Sequence, residues 1–175
     1  MIFATWVIGV LALDQITKAL AVHFLASGAP VVIIPGLFSL VLRHNSGAAF
    51  SLFSEHPGIL TAINCLLSAG IVFMGLRTPA RDRLRIAALG LVAGGAMGNL
   101  ADRFFRGFTV VDFLDMHWFY KAHWPTFNIA DAAICIGIGL LFLEAYMLGK
   151  REKLATAKQG MECKKATGQT TTRRT

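Results

Sequence analysis

Charge is scarce in this chain. Of its 175 residues only 15% are Asp, Glu, Lys or Arg, and only 10 are acidic. An ordinary soluble domain carries roughly 25% charged residues. By contrast, 55% of the residues are hydrophobic and the mean hydropathy is +0.58. The length suits about one domain, and its apolar content exceeds what one small core can hide, which excludes a soluble globule. Cysteine is scarce too, with three residues and no metal-type spacing. Cys65 and Cys135 sit in apolar runs and Cys163 in a polar one. That excludes a disulfide scaffold and reads as inert thiols. The net charge of +7 would suit nucleic acid only if the basic residues clustered on a polar face. They lie mostly outside the long apolar runs, so no nucleic-acid partner is expected.

What is present is apolar length. Four stretches run from about Ile2 to Leu25, Gly58 to Leu76, Ile86 to Phe105 and Phe127 to Leu148. Each is long enough to cross a bilayer, which takes about 20 residues of helix. The first is no cleavable signal peptide: it lacks a basic leading region, and Asp14, Gln15 and Lys18 interrupt an apolar run that is too long. Leu25-Ala26-Ser27-Gly28 resembles a lipoprotein processing site but lacks the following cysteine.

Basic residues set the expected orientation. Arg77, Arg81, Arg83 and Arg85 follow the second span, and Lys150, Arg151, Lys153 and further cations follow the fourth. Both termini are therefore expected in the cytoplasm, with residues 26–57 and 106–126 facing outward. In the first outward segment, Val31 to Ile34 and Leu37 to Leu42 flank Pro35-Gly36, a hairpin or small-sheet pattern. The second is dense in aromatics, including Phe108, Phe113, Trp118, Phe119, Tyr120 and Trp124. It reads equally as an interfacial belt or as a lid over a substrate. Residues 151–175 turn polar and read as a disordered tail.

Ionisable groups inside a span are costly and point to function by default. Asp14 and Lys18 share one face of the first span, and Asn99, Asp102 and Arg103 one face of the third. Either set reads also as structural: an Asp14–Lys18 pair, or Asp102 and Arg103 neutralising each other. Gly90, Gly94, Gly95 and Gly98 read as a close-packing face. Asn128 and Asp131 open the fourth span, and Asp112 and Asp115 precede it. Glu144 is explained by snorkelling to water. With the orientation above, the polar groups converge near the outer leaflet. Two carboxylates held close share a proton, so one can activate water while the other protonates a carbonyl. An aspartyl dyad hydrolysing an amide is the chemistry that suits these residues best. Proton-coupled transporters also use membrane carboxylates, and Asp14, Asp102 and Asp131 would serve as their relay. A non-catalytic assembly factor is a third possibility.

Five polar boxes resemble those of the lipoprotein signal peptidase (signal peptidase II) family. They are Asp14-Gln15-Ile16-Thr17-Lys18, Asn45-Ser46-Gly47-Ala48-Ala49-Phe50, Gly94 to Arg103, Val110-Val111-Asp112-Phe113 and Phe127-Asn128-Ile129-Ala130-Asp131. The resemblance spans residues 6 to about 149 with the boxes in family order. It implies an all-α membrane protein of four transmembrane helices, with a small β-rich outer cradle between helices 1 and 2 and a flap around residues 113–124 between helices 3 and 4. It implies a peptidase domain over residues 1–150 in the bacterial cytoplasmic (inner) membrane. The implied activity is an aspartic endopeptidase that cuts diacylglyceryl-modified prolipoproteins just before the lipidated cysteine, with no metal and no cofactor. The dyad would be Asp112 and Asp131. Asn99, Asp102, Arg103 and Asn128 would hold the substrate backbone and the dyad, with Asp14, Lys18 and Asn45 in support. Asp115 is the alternative to Asp112, and the family pattern favours Asp112. The expected partners are the lipid-modified substrate and membrane lipid, with the enzyme a monomer.

Overall fold

Each of the four long apolar stretches is a helix, because in hydrocarbon a chain must satisfy its own backbone groups. The computed structural model describes residues 1–47, 56–119 and 122–171. Its elements run α1 (Ile2–Phe24), β1 (Val31–Ile34), β2 (Phe38–Asn45), α2 (Pro57–Arg77), α3 (Arg83–Phe105), β3 (Val110–Trp118), β4 (Ala122–His123) and α4 (Ile129–Thr171). All four helices are long and apolar enough to cross a membrane.

Helix α3 is central and packs against α1, α2 and α4. Lipid gives helices little hydrophobic reason to associate, so close approach of small residues has to supply the contact. The glycines of α3 do this on two sides. A Cβ at Gly94 would stand 2.7 Å from Val10 Cβ, and one at Gly98 would stand 2.5 Å from Asp14 Oδ2. Gly90 faces Trp6 in the same row, so this row fits against α1. Gly95 instead faces the Ala130 carbonyl and Ile134 on α4. Two apolar clusters follow from this packing. Phe3, Val7, Ile86, Leu89 and Ala93 fill one end of the bundle. Ala21, Leu25 and Phe113 join the other end to the sheet.

The sheet is antiparallel, in the order β1-β2-β3-β4. Pro35 and Gly36 make the β1–β2 turn, where Gly36 takes a φ of 77° and the Leu37 amide donates to the Ile34 carbonyl at 3.0 Å. Gly36 sits at the turn position that needs a positive φ. All four residues of β1 are exposed and apolar, as expected of a strand resting at a membrane surface. The aromatic second segment contributes more than a flap. Residues Val110–Trp118 form a strand paired along β2, from Phe38↔Met116 to Asn45↔Val110. The cradle therefore draws on both the α1–α2 and the α3–α4 connection. Between Leu40↔Leu114 and Arg43↔Asp112 the register slips by one residue, a bulge of the kind that re-aims side chains beside sites. Tyr120 and Lys121 lie outside the described residues.

Where a disordered tail is expected from residue 151, α4 instead continues to Thr171. The segment holds no proline and has Lys and Ala among its commonest residues, so propensity lets the helix propagate beyond its apolar part. At that end Glu144 does more than snorkel: its carboxylate pairs with Arg85 of α3 at 3.0 Å.

Candidate active site

The site is built where the sheet meets the ends of α1, α3 and α4. Its base is Lys18, fully buried on α1. Its ammonium group reaches Asp14 Oδ2 at 2.8 Å, Asp102 Oδ2 at 3.0 Å and Asn99 Oδ1 at 3.0 Å. An ammonium has three protons, and all three have acceptors. A buried cation is tolerated only when paired and hydrogen-bonded in this way. Asp14 uses its other oxygen to accept from the Ala130 amide at 2.9 Å. That contact fastens α1 to the first turn of α4, next to Asp131.

Asp102 anchors the sheet. Its Oδ2 also accepts from the Val111 amide at 3.0 Å. The geometry that allows this is a sharp helix stop: Gly107 takes a φ of 64° and the Phe108 amide donates to the Arg103 carbonyl at 2.9 Å, a Schellman closure. Asp102 and Arg103 form no direct ion pair among the described residues. Asp102 pairs with Lys18 and with Arg106, at 3.3 Å. Arg103 turns the other way and donates to the Gly47 carbonyl at 3.2 Å, within Coulombic range of Asp131 and Asp112.

Above this base lie the two carboxylates. Asp112 on β3 is buried and accepts from Asn128 Nδ2 at 2.7 Å and Asn45 Nδ2 at 3.0 Å. Asp131 on α4 is partly buried and accepts from Asn99 Nδ2 at 2.8 Å and from the Asn128 amide at 3.2 Å. Asn128 touches both. Burial pushes the Asp112 carboxyl up to about 6, the Asp131 charge adds to the rise, and the two asparagine hydrogen bonds oppose it. A carboxyl at that value keeps its proton to a higher pH than an ordinary aspartate and, in its protonated form, can act as an acid.

The nine residues expected from the sequence (Asp14, Lys18, Asn45, Asn99, Asp102, Arg103, Asp112, Asn128 and Asp131) are thus joined by one hydrogen-bonded network. Asp115 is not part of that bridge. It is an odd number of residues from Asp112 along β3, hence on the other face, and lies 3.5 Å from His117 Nδ1. Ala48, Ala49 and Phe50 of the second box lie outside the described residues. Sequence reasoning missed one contributor. Gln15 Nε2 reaches Asp14 Oδ2, the Gly98 carbonyl and Asp102 Oδ1 at 3.1–3.2 Å, stitching α1 to α3. Its signal was a third polar residue in an apolar run.

Known proteins resemble this chain in sequence and in fold. The family profile described as Signal peptidase (SPase) II matches residues 6–147. The chain belongs to the signal peptidase II family. As a member of that family it is a peptidase, and with four spanning helices it is a bacterial membrane protein. Among its relatives is the lipoprotein signal peptidase of Teredinibacter turnerae, 45% identical over 154 residues, covering 85% of this chain and 89% of that protein. The lipoprotein signal peptidase of Actinobacillus succinogenes is 40% identical over 144 residues, covering 80% and 86%. A bacterial membrane enzyme solved by the in meso method at 2.3 Å superposes with a TM-score of 0.72 at 26% identity, covering 83% of this chain and 87% of that one. All five polar boxes fall inside the region shared with signal peptidase II, and the polar helical extension beyond residue 150 falls outside it.

Proposed function

We propose that this signal peptidase II cuts with an aspartyl dyad of Asp112 and Asp131. The protein removes signal peptides from prolipoproteins, as its family membership and its relatives' names indicate. The observation that carries the dyad is Asn128, which donates to Asp112 through its side chain and to Asp131 through its backbone. Carboxylates tied to one residue are near enough to act together on one scissile bond. Asp112, whose carboxyl burial raises to about 6, acts as the acid in its protonated form, and Asp131 is the base. Asp131 takes a proton from water as the oxygen attacks the scissile carbonyl carbon, while Asp112 gives its proton to the carbonyl oxygen. On collapse Asp131 passes its proton to the departing amine, the C–N bond breaks, and the proton of one hydroxyl of the intermediate returns to Asp112. No metal or cofactor takes part in these steps.

Arg103, Asn99 and Asn45 position the substrate backbone and the dyad, and Lys18, Asp14 and Asp102 hold the base of the site. The substrate is the diacylglyceryl-modified prolipoprotein, cut just before its lipidated cysteine. Its lipid anchor keeps that cysteine near the headgroups, at the depth where α1, α3 and α4 meet the sheet. Residues 1–150 form the peptidase domain, acting as a monomer, with residues 151–175 an appendage. Arg77, Arg81, Arg83 and Arg85 around the α2–α3 connection, and Lys150, Arg151 and Lys153 past the apolar part of α4, support cytoplasmic termini and a dyad at the outer face. Family membership leaves the transporter reading without support.

Incubating purified Asp112→Asn and Asp131→Asn with a lipidated prolipoprotein peptide tests the dyad. Each substitution should lower cleavage by at least about a hundredfold in a protein that still inserts and folds. Normal cleavage by either would remove that residue from the dyad.

A further inference from the structure

At the membrane face opposite the dyad the bundle is not closed. Helices α2 and α4 both pack on α3, and a groove of about 750 Å³ opens between them. Phe73, Leu89, Leu141 and Leu148 give it apolar walls, and Arg77 and Arg85 stand in its lining. The two arginines differ. Arg85 is engaged by Glu144 at 3.0 Å. The Arg77 guanidinium lies 4.9 Å from the Phe73 ring centre, and among the described residues no carboxylate pairs with it. Stacking on Phe73 holds that guanidinium over the apolar wall, a geometry that leaves its N–H donors free for an anion.

The surroundings carry the same sign. Arg83, Lys150, Arg151 and Lys153 are exposed, adjoin the lining residues Arg85, Gly149 and Glu152 along the chain, and have no ion pairs among the described residues, against Glu144 (held by Arg85) and Glu152 in the lining. A cationic mouth on an apolar slot between spanning helices is the chemistry of a phospholipid: a phosphate outside, an acyl chain within. The basic leading region of a signal peptide would be repelled by the same mouth. We propose that this groove binds one anionic glycerophospholipid, with its phosphate on Arg77 and an acyl chain along Phe73, Leu89 and Leu141. The site is separate from the dyad, at the opposite end of α3.

The test uses the full chain in detergent micelles, with native mass spectrometry and thermal unfolding as readouts. Dioleoylphosphatidylglycerol should bind saturably as one molecule and raise the unfolding temperature. Dioleoylphosphatidylcholine should bind more weakly, and inorganic phosphate alone should do neither. Arg77→Gln should weaken the phosphatidylglycerol complex about fivefold, the worth of one basic residue near an anionic headgroup. Leu141→Trp, which fills the slot, should abolish it. Equal binding of the two lipids, an equal effect of free phosphate, or unchanged affinity in Arg77→Gln would overturn the proposal. So would displacement of phosphatidylglycerol by a signal peptide with a basic leading region.

Discussion

Asn128 and Asp131 hydrogen-bond each other twice across the first turn of α4. The Asp131 amide donates to Asn128 Oδ1 at 3.0 Å, and the Asn128 amide donates to Asp131 Oδ2 at 3.2 Å. This is a capping box in which one capping carboxylate is also a member of the proposed dyad. The start of a helix thereby fixes the orientation of a reacting group. Asn128 also donates to Asp112 and to the Val111 carbonyl at 3.2 Å, so the cap reaches the sheet.

Asn128→Ala should therefore lose both the cap and the bridge. A lost cap costs about 1 kcal/mol, and the buried acceptors left behind add about 1–3 kcal/mol. Thermal unfolding in detergent should show that loss, and cleavage should fall about a hundredfold or more. Asp131→Asn keeps an oxygen that can accept the capping bond, so it should lose activity with much less stability. Equal destabilisation by the two substitutions would argue against the shared role.

Lys18→Met should be among the most damaging single changes. It leaves Asp14 and Asp102 facing each other without the cation that bridges them at 2.8 and 3.0 Å. Removing one partner of a buried ion pair costs about 3–5 kcal/mol. Adding Asp14→Asn and Asp102→Asn to Lys18→Met should recover part of it, measured as a rise in unfolding temperature over the single variant.

Stability should depend on pH through Asp112. Its folded value of about 6 lies above the ordinary 3.8, so the folded state binds that proton more tightly. The resulting stabilisation is full below about pH 4 and is lost as pH rises through 6. The gap corresponds to about 3 kcal/mol. Denaturation of wild type between pH 4 and 8 should show this decline, and Asp112→Asn should flatten it. An unchanged slope would place the titration elsewhere. Cleavage should follow the same group: kcat/KM falls on the alkaline side with a midpoint near the free-enzyme value.

Helix packing is testable at single glycines. Gly98→Ala would drive a methyl group against Asp14 and should destabilise by about 1–3 kcal/mol while impairing cleavage through the base of the site. Gly139→Ala meets nothing within 4 Å and should be neutral or stabilising by up to about 1 kcal/mol. Unfolding temperatures of the pair decide it. Similar values would mean that α3 has room to shift against α1.

The sequence by itself determined the four spans, the β1–β2 hairpin and the polar residues that the fold gathers into one network. The reason is energetic: a bilayer penalises every unpaired charge, so Asp14, Lys18, Asp102 and Arg103 stand out wherever they occur. Helical spacing put Asp14 with Lys18, and Asn99 with Asp102, on common faces. Spacing could not say what those faces meet. It left Asp102 free to pair with Arg103, where the fold gives it Lys18, Arg106 and the Val111 amide. It left Asp115 beside Asp112, where the strand turns them to opposite faces. The family resemblance implied a flap around residues 113–124, and in the fold Val110–Trp118 is also a strand of the cradle. Only the tertiary structure decided these, because hydrogen bonds act over about 3 Å and join residues such as Asp14 and Ala130 that lie far apart along the chain. Periodicity records which way a side chain points; the packing of α1, α3, α4 and the sheet decides what it reaches.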